Sequence, residues 1–149
     1  MEPNNPVVKL CAAGMEAAGE GRLADAAALF MQAWDTAQDD YEASIAAHHV
    51  AYCQPTPEQT LYWNQVAVDR AERVAGGSAA FFLPALYLNL GMSHARLGDR
   101  SAARTCYEQA LTYMDALPDD SYSSWVRAGV ARALGRSVDG DRSVLDDKE

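Results

Sequence analysis

Residues 84–117 read PALYLNLGMSHARLGDRSAARTCYEQALTYMDAL, and their pattern decides the fold. Two helical periodicities meet at Leu97-Gly98-Asp99, where Gly98 can supply a left-handed turn and Asp99 can cap the helix that follows. On the first helix Tyr87, Leu90, Gly91 and His94 recur at helical spacing, and on the second Ala103, Tyr107 and Ala110 do the same. Glycine and alanine let two helices approach, and the larger side chains fill the space between them. The stretch is therefore a helical hairpin.

A second copy lies at the start of the chain. Asn4 or Asn5 followed by Pro6 opens a helix through Val7, Leu10, Ala13, Gly14 and Ala17, which Gly19 and Gly21 end. The next helix carries Ala26, Phe30 and Ala33, the same small, aromatic, small spacing as Ala103, Tyr107 and Ala110. Gly14 precedes Ala26 by 12 residues, as Gly91 precedes Ala103. Between these copies, Tyr41 to Cys53 forms a helix whose Ala47-His48 pair falls 34 residues after Ala13-Gly14. Gln54-Pro55-Thr56-Pro57 stops it, and Thr56 with Gln59 makes a capping box for the partner helix. There the pattern weakens to Thr60, Asn64 and Ala67, with Trp63 alongside. His48 to Gly91 is 43 residues, so this copy carries an insertion, placed at 74–83, where Gly76-Gly77 breaks the helix and Ser78 is available as a new cap.

The order aromatic, Leu-Gly, aromatic, then Ala, aromatic, Ala and proline over 34 residues resembles the tetratricopeptide repeat, with His94 at one aromatic place and Pro118 slightly past its usual place. The resemblance implies an all-α protein, a right-handed α-α superhelix of three hairpins at about 7–40, 41–83 and 84–117. A C-terminal capping helix at about 120–134, with caps available at Asp119, Asp120 and Ser121, completes a domain spanning 1–135. The segment 136–149 is polar, Asp-rich and aperiodic, and reads as a flexible tail.

At 149 residues the chain is one domain by length. Its formal charge of −9 opposes a phosphate-binding surface, which excludes nucleic acid from the expected partners. The excess of Arg over Lys and the abundance of Ala suggest a GC-rich bacterial source. No signal segment or membrane span is legible, so a cytoplasmic protein is expected. The three cysteines, Cys11, Cys53 and Cys106, have no CxxC spacing and are expected as free thiols. No phosphate-cradling glycine loop, GxSxG, HExxH or calcium loop occurs, and no enzyme or cofactor is expected.

Tetratricopeptide proteins hold peptides in a concave groove lined by their first helices. Carried over by register, the resemblance implies that Met15, His49 and Met92, each one residue past the close-packed position, face that groove. Leu88, with Cys11 and Ile45, stands three residues before that position; Asn89 falls near the rim, and Tyr52 and Arg96 lie a turn on. Asn89 matches the place where the family often pairs an Asn with a bound backbone. The cationic clamp of chaperone-binding members is missing, because Cys11, Ile45 and Leu88 stand where Lys would be needed. The expected function is a protein–protein interaction module that takes an apolar peptide or helix. Its competitor is the last helix, whose Tyr122 and Trp125 could fill the groove. A different class is a small-ligand or soft-metal site for copper(I) or zinc at Cys11, His49 and Cys53, with His49 and Cys53 at i and i+4. Exposed aromatics and open repeat ends also allow a homodimer.

Overall fold

The computed structural model of the chain describes residues 2–146, with the side chains of that range apart from Ala116 and those beyond 135. Every secondary-structure element among the described residues is a helix, and none is a strand. They form two units, Met1–Ala79 and Ala80–Glu149.

The first unit is built from α1 (Pro6–Gly19), α2 (Leu23–Thr36), α3 (Asp40–Tyr52) and α4 (Pro57–Glu72). Side-chain caps start α1, α3 and α4. The Asn5 side-chain oxygen accepts from Val7 N–H at 2.8 Å, with Pro6 as the first helical residue, where its missing donor has no consequence. Asp39 accepts from Glu42 N–H at 2.7 Å to cap α3, and the Thr56 hydroxyl accepts from Gln59 N–H at 3.2 Å to cap α4. The Thr56 hydroxyl also donates to Gln59 Oε1 at 2.9 Å, so the expected capping pair forms. Gly21 takes φ of 80°, which turns the chain from α1 into α2 at no steric cost. Two clusters of its core are Val7, Cys11, Ala33 and Ala46, and Ala17, Ala26, Phe30 and Val50. Both join α1 and α2 to α3, which is how an alanine-rich helix such as α3 acquires a buried face.

The second unit holds α5 (Leu83–Arg96), α6 (Arg100–Thr112) and α7 (Ser121–Asp146). Gly98 at φ of 84° ends α5, and the Asp99 carboxylate accepts from Ala102 N–H at 3.1 Å to start α6. Asp120 accepts from Ser123 N–H at 2.7 Å, which identifies the cap of α7 among the three expected candidates. Ser78 caps nothing: α5 begins at Leu83, after a short 3₁₀ turn at Ala75–Gly77 that needs positive φ at Gly76 and Gly77. Leu88, Tyr107, Ala110, Val130 and Ala133 form one core cluster of this unit, and Ala85, Leu117 and Val126 another.

Helix α7 runs past 134 to Asp146, where the sequence suggested an aperiodic tail from 136. No proline interrupts residues 121–146, and a helix already anchored by Val126, Val130 and Ala133 continues until something stops it. The side chains of 136–149 lie outside the described residues.

One contact occurs in both units. A Cβ placed on Gly14 would lie 2.6 Å from Phe30 Cδ1, and one placed on Gly91 would lie 2.7 Å from Tyr107 Cδ1. In each hairpin one edge of the ring lies against backbone that only glycine leaves bare. The shared spacing of Gly14 with Phe30 and of Gly91 with Tyr107 is thus a shared packing device.

Candidate partner-binding surface

Helices α1, α3 and α5 position every residue expected at the groove, and the structure divides them into three kinds. Met15 on α1 is 46 % exposed and Met92 on α5 is 49 % exposed. Each stands one residue after the glycine closed by the partner helix, so in each hairpin that contact turns a thioether outward. Tyr52 and Arg96 end α3 and α5 and are exposed. Asn89 is half-buried.

Leu88 belongs to a different environment. It is buried with Val130 and Ala133, and a Cβ on Gly129 of α7 would lie 2.9 Å from its Cδ2. Helix α7 therefore covers this position with its small, branched face, which removes Leu88 from any open surface. Cys11 on α1 meets the same fate in the first unit, buried against Ala46 of α3. The position three residues before the glycine faces the next helix. Tyr122 and Trp125, the residues of the last helix that could compete for the groove, stack on each other at 6.5 Å and are 47 % and 61 % exposed.

His49 is the third kind. Its Nδ1–H donates to the Ile45 carbonyl at 2.8 Å, and its ring packs 5.3 Å from Phe30 and 5.2 Å from His48. It is half-buried, and burial depresses its proton affinity, partly offset by that backbone bond. Cys11, His49 and Cys53 are not brought together: among the described residues no three His, Cys, Asp or Glu side chains form a metal-holding group. Burial also pushes the Cys11 thiol up to about 11, so it is a neutral thiol at neutral pH and a poor ligand. A water-soluble maleimide at pH 8 should therefore modify the partly exposed Cys53 and spare Cys11 in the native protein. Equal labelling of the two by mass spectrometry would show that α1 does not seal Cys11 against α3.

An aromatic cluster in the first unit has no periodic signal. Trp34 of α2 meets Trp63 of α4 edge-on at 5.1 Å, and Tyr62 meets Trp63 at 5.4 Å. The Arg70 guanidinium covers the Trp34 ring at 5.5 Å and pairs with Asp40 at 3.0 Å, tying α4 to α2 and α3. A cleft of about 380 Å³ opens beside it, lined by Trp34, Gln38, Asp39, Asp40 and Arg70 among others. Asp40 and Arg70 lie 30 residues apart in sequence, so nothing local announces their pairing.

The two units differ in charge. Residues 1–79 contain eleven acids and four bases, and residues 80–149 ten acids and eight bases. The first unit thus carries most of the negative charge, with Glu16 exposed on the same helix as Met15 and Glu20 exposed at its C-cap. Among the described residues no helix is long and apolar enough to cross a membrane. Comparison with known proteins found no matching family model, no matching curated protein and no matching solved structure.

Proposed function

We propose that the chain is a tetratricopeptide-like α-α repeat protein, a right-handed superhelix that works as a protein–protein interaction module. Its first helices receive an apolar segment or helix of the partner. The observation that carries this reading is the pair Met15 and Met92: in two hairpins closed by the same glycine–aromatic contact, the next residue is a methionine left about half exposed. An exposed methionine suits a surface that adapts to a partner, because its unbranched, polarizable side chain can repack at little cost. Tyr52 and Arg96 add an amphipathic ring and a guanidinium at the helix ends, residue types favoured at interfaces. The excess of acids in residues 1–79 favours a partner whose apolar residues are flanked by bases, and binding should then weaken as salt rises.

The test begins with native capture, identification of the captured protein and measurement of its affinity in purified form. Met15→Asp and Met92→Asp should each weaken that affinity at least tenfold while the helical circular dichroism is retained, since both side chains face water in the free protein. Asn89→Ala should weaken it about fivefold if the amide pairs with the partner's backbone. A partner that binds both aspartate variants as tightly as the parent chain would move the working surface away from the first helices.

A further inference from the structure

We infer that the outward face of α7 is a homodimer interface, on which two copies of the chain set their last helices antiparallel, each laying Trp125 over the partner's Ala128. Burial defines the face. Ser123, Val126, Val130 and Ala133 hold α7 to its own unit, while Ser121, Trp125, Ala128, Arg132 and Gly135 are exposed. These exposed positions advance by four, three, four and three residues, so they form one straight stripe of the kind along which helices pair. Tyr122 flanks the stripe, its ring stacked on Trp125 at 6.5 Å, which keeps both rings at the N-terminal end. A helix that faced only water would carry charged residues there, and this one presents an indole, a phenol, alanine and glycine.

The order of residues along the stripe selects the occupant. Turned end for end, the stripe matches itself: Trp125 falls opposite the partner's Ala128, and Arg132 opposite the partner's Ser121, within reach of the neighbouring phenol ring. Both contacts recur about a two-fold axis, as an isologous interface requires. Parallel pairing would set indole on indole and guanidinium on guanidinium, so bulk and charge oppose it. In the antiparallel pair the two Arg132 side chains start roughly 16 Å apart along the axis, beyond the screening length of about 8 Å at physiological salt. The hairpins already use the same device, a ring laid on a small residue, in Phe30 on Gly14 and Tyr107 on Gly91.

Charge favours a second copy as well. Residues 121–135 contain two arginines and no acid, although the chain has 12 bases and 21 acids. Contact through α7 places the basic stretch of each copy in the negative field of the other, whereas contact through the acid-rich residues 1–79 would add repulsion. The stripe spans about 21 Å of helix, which covers less than the roughly 800 Å² per partner of a standard interface, so the pair is weak and depends on concentration.

Sedimentation equilibrium of the full chain from about 10 µM to about 1 mM measures such a pair. The weight-average mass should rise from 16.1 kDa toward twice that value. Trp125→Ala should weaken association at least tenfold with the helical circular dichroism retained, since the ring is exposed in the free chain. Ser121→Glu tests the register: opposite the partner's Arg132 it should tighten the pair about threefold, and adding Arg132→Glu should reverse the gain by setting two carboxylates together. A chain that stays at 16.1 kDa throughout overturns the proposal, whether the face then takes a helix of an unlike protein or a vesicle of anionic lipid. Association that Trp125→Ala leaves unchanged, or that Ser121→Glu does not tighten, overturns it too.

Discussion

Replacing Phe30 with alanine is expected to lower the stability of the first unit by about 3–5 kcal/mol, the cost of deleting a fully buried ring from a core that cannot collapse. Phe30 is 0 % exposed and lies between the bare backbone of Gly14 and the ring of His49. A glycine has no side chain to move into the void, and His49 is tethered by its bond to the Ile45 carbonyl. Both features place the loss toward the upper end of that range. Urea unfolding followed by circular dichroism gives the value, and tryptophan fluorescence adds a local reading because Trp34 and Trp63 belong to the first unit. A loss within the range of an ordinary surface change, about 0.5 kcal/mol, would mean that the α1–α2 register is wrong.

What the sequence discloses here is what depends on neighbours along the chain. Caps are chemistry between residues two or three apart, so Asn5, Thr56, Asp99 and Asp120 could be read as helix starts. The hairpins were legible for a related reason, since Gly14 with Phe30 and Gly91 with Tyr107 repeat one spacing. The surface was legible only in part. Met15 and Met92 are exposed, as their place after the glycine suggested, but Cys11 and Leu88 are buried because a third helix covers each hairpin. That burial is decided by α3 and by α7, through Ala46, Gly129, Val130 and Ala133, and no periodicity within α1 or α5 reports it. His49 shows the same limit: helical spacing placed it beside Met15 in register, while the ring itself turned to Phe30 and His48. The Asp40–Arg70 pair and the Trp34–Trp63 contact are tertiary in the same way.

The glycine contacts yield a prediction of opposite sign at two kinds of position. In the interior of an exposed helix, Gly→Ala stabilises by roughly 0.5–1 kcal/mol, because the unfolded chain loses freedom and the helix gains propensity. Gly19, the last residue of α1, has nothing within 4 Å of the added Cβ, so Gly19→Ala should be stabilising or neutral. At Gly14 and Gly91 the same methyl meets a buried ring at 2.6 and 2.7 Å, and at Gly91 it also approaches the Ala103 carbonyl oxygen at 3.1 Å. Phe30 and Tyr107 are 0 % and 5 % exposed and have no empty space to rotate into, so the helices themselves must separate. Overpacking of this kind costs about 1–3 kcal/mol, more than the propensity gain. Gly91→Ala should be the more damaging of the two, because its methyl meets the Ala103 carbonyl oxygen as well as a ring, whereas at Gly14 it meets the ring alone. Shrinking the ring partner gives the control: in Gly14→Ala/Phe30→Leu the methyl acquires room, and the double variant should be more stable than the sum of the two single losses implies. Chemical denaturation of the six proteins, parent, G19A, G14A, G91A, F30L and the double variant, reads the whole set. Alanine at 14 or 91 that leaves the midpoint unchanged would show that these helices are not held at the separation the glycines permit.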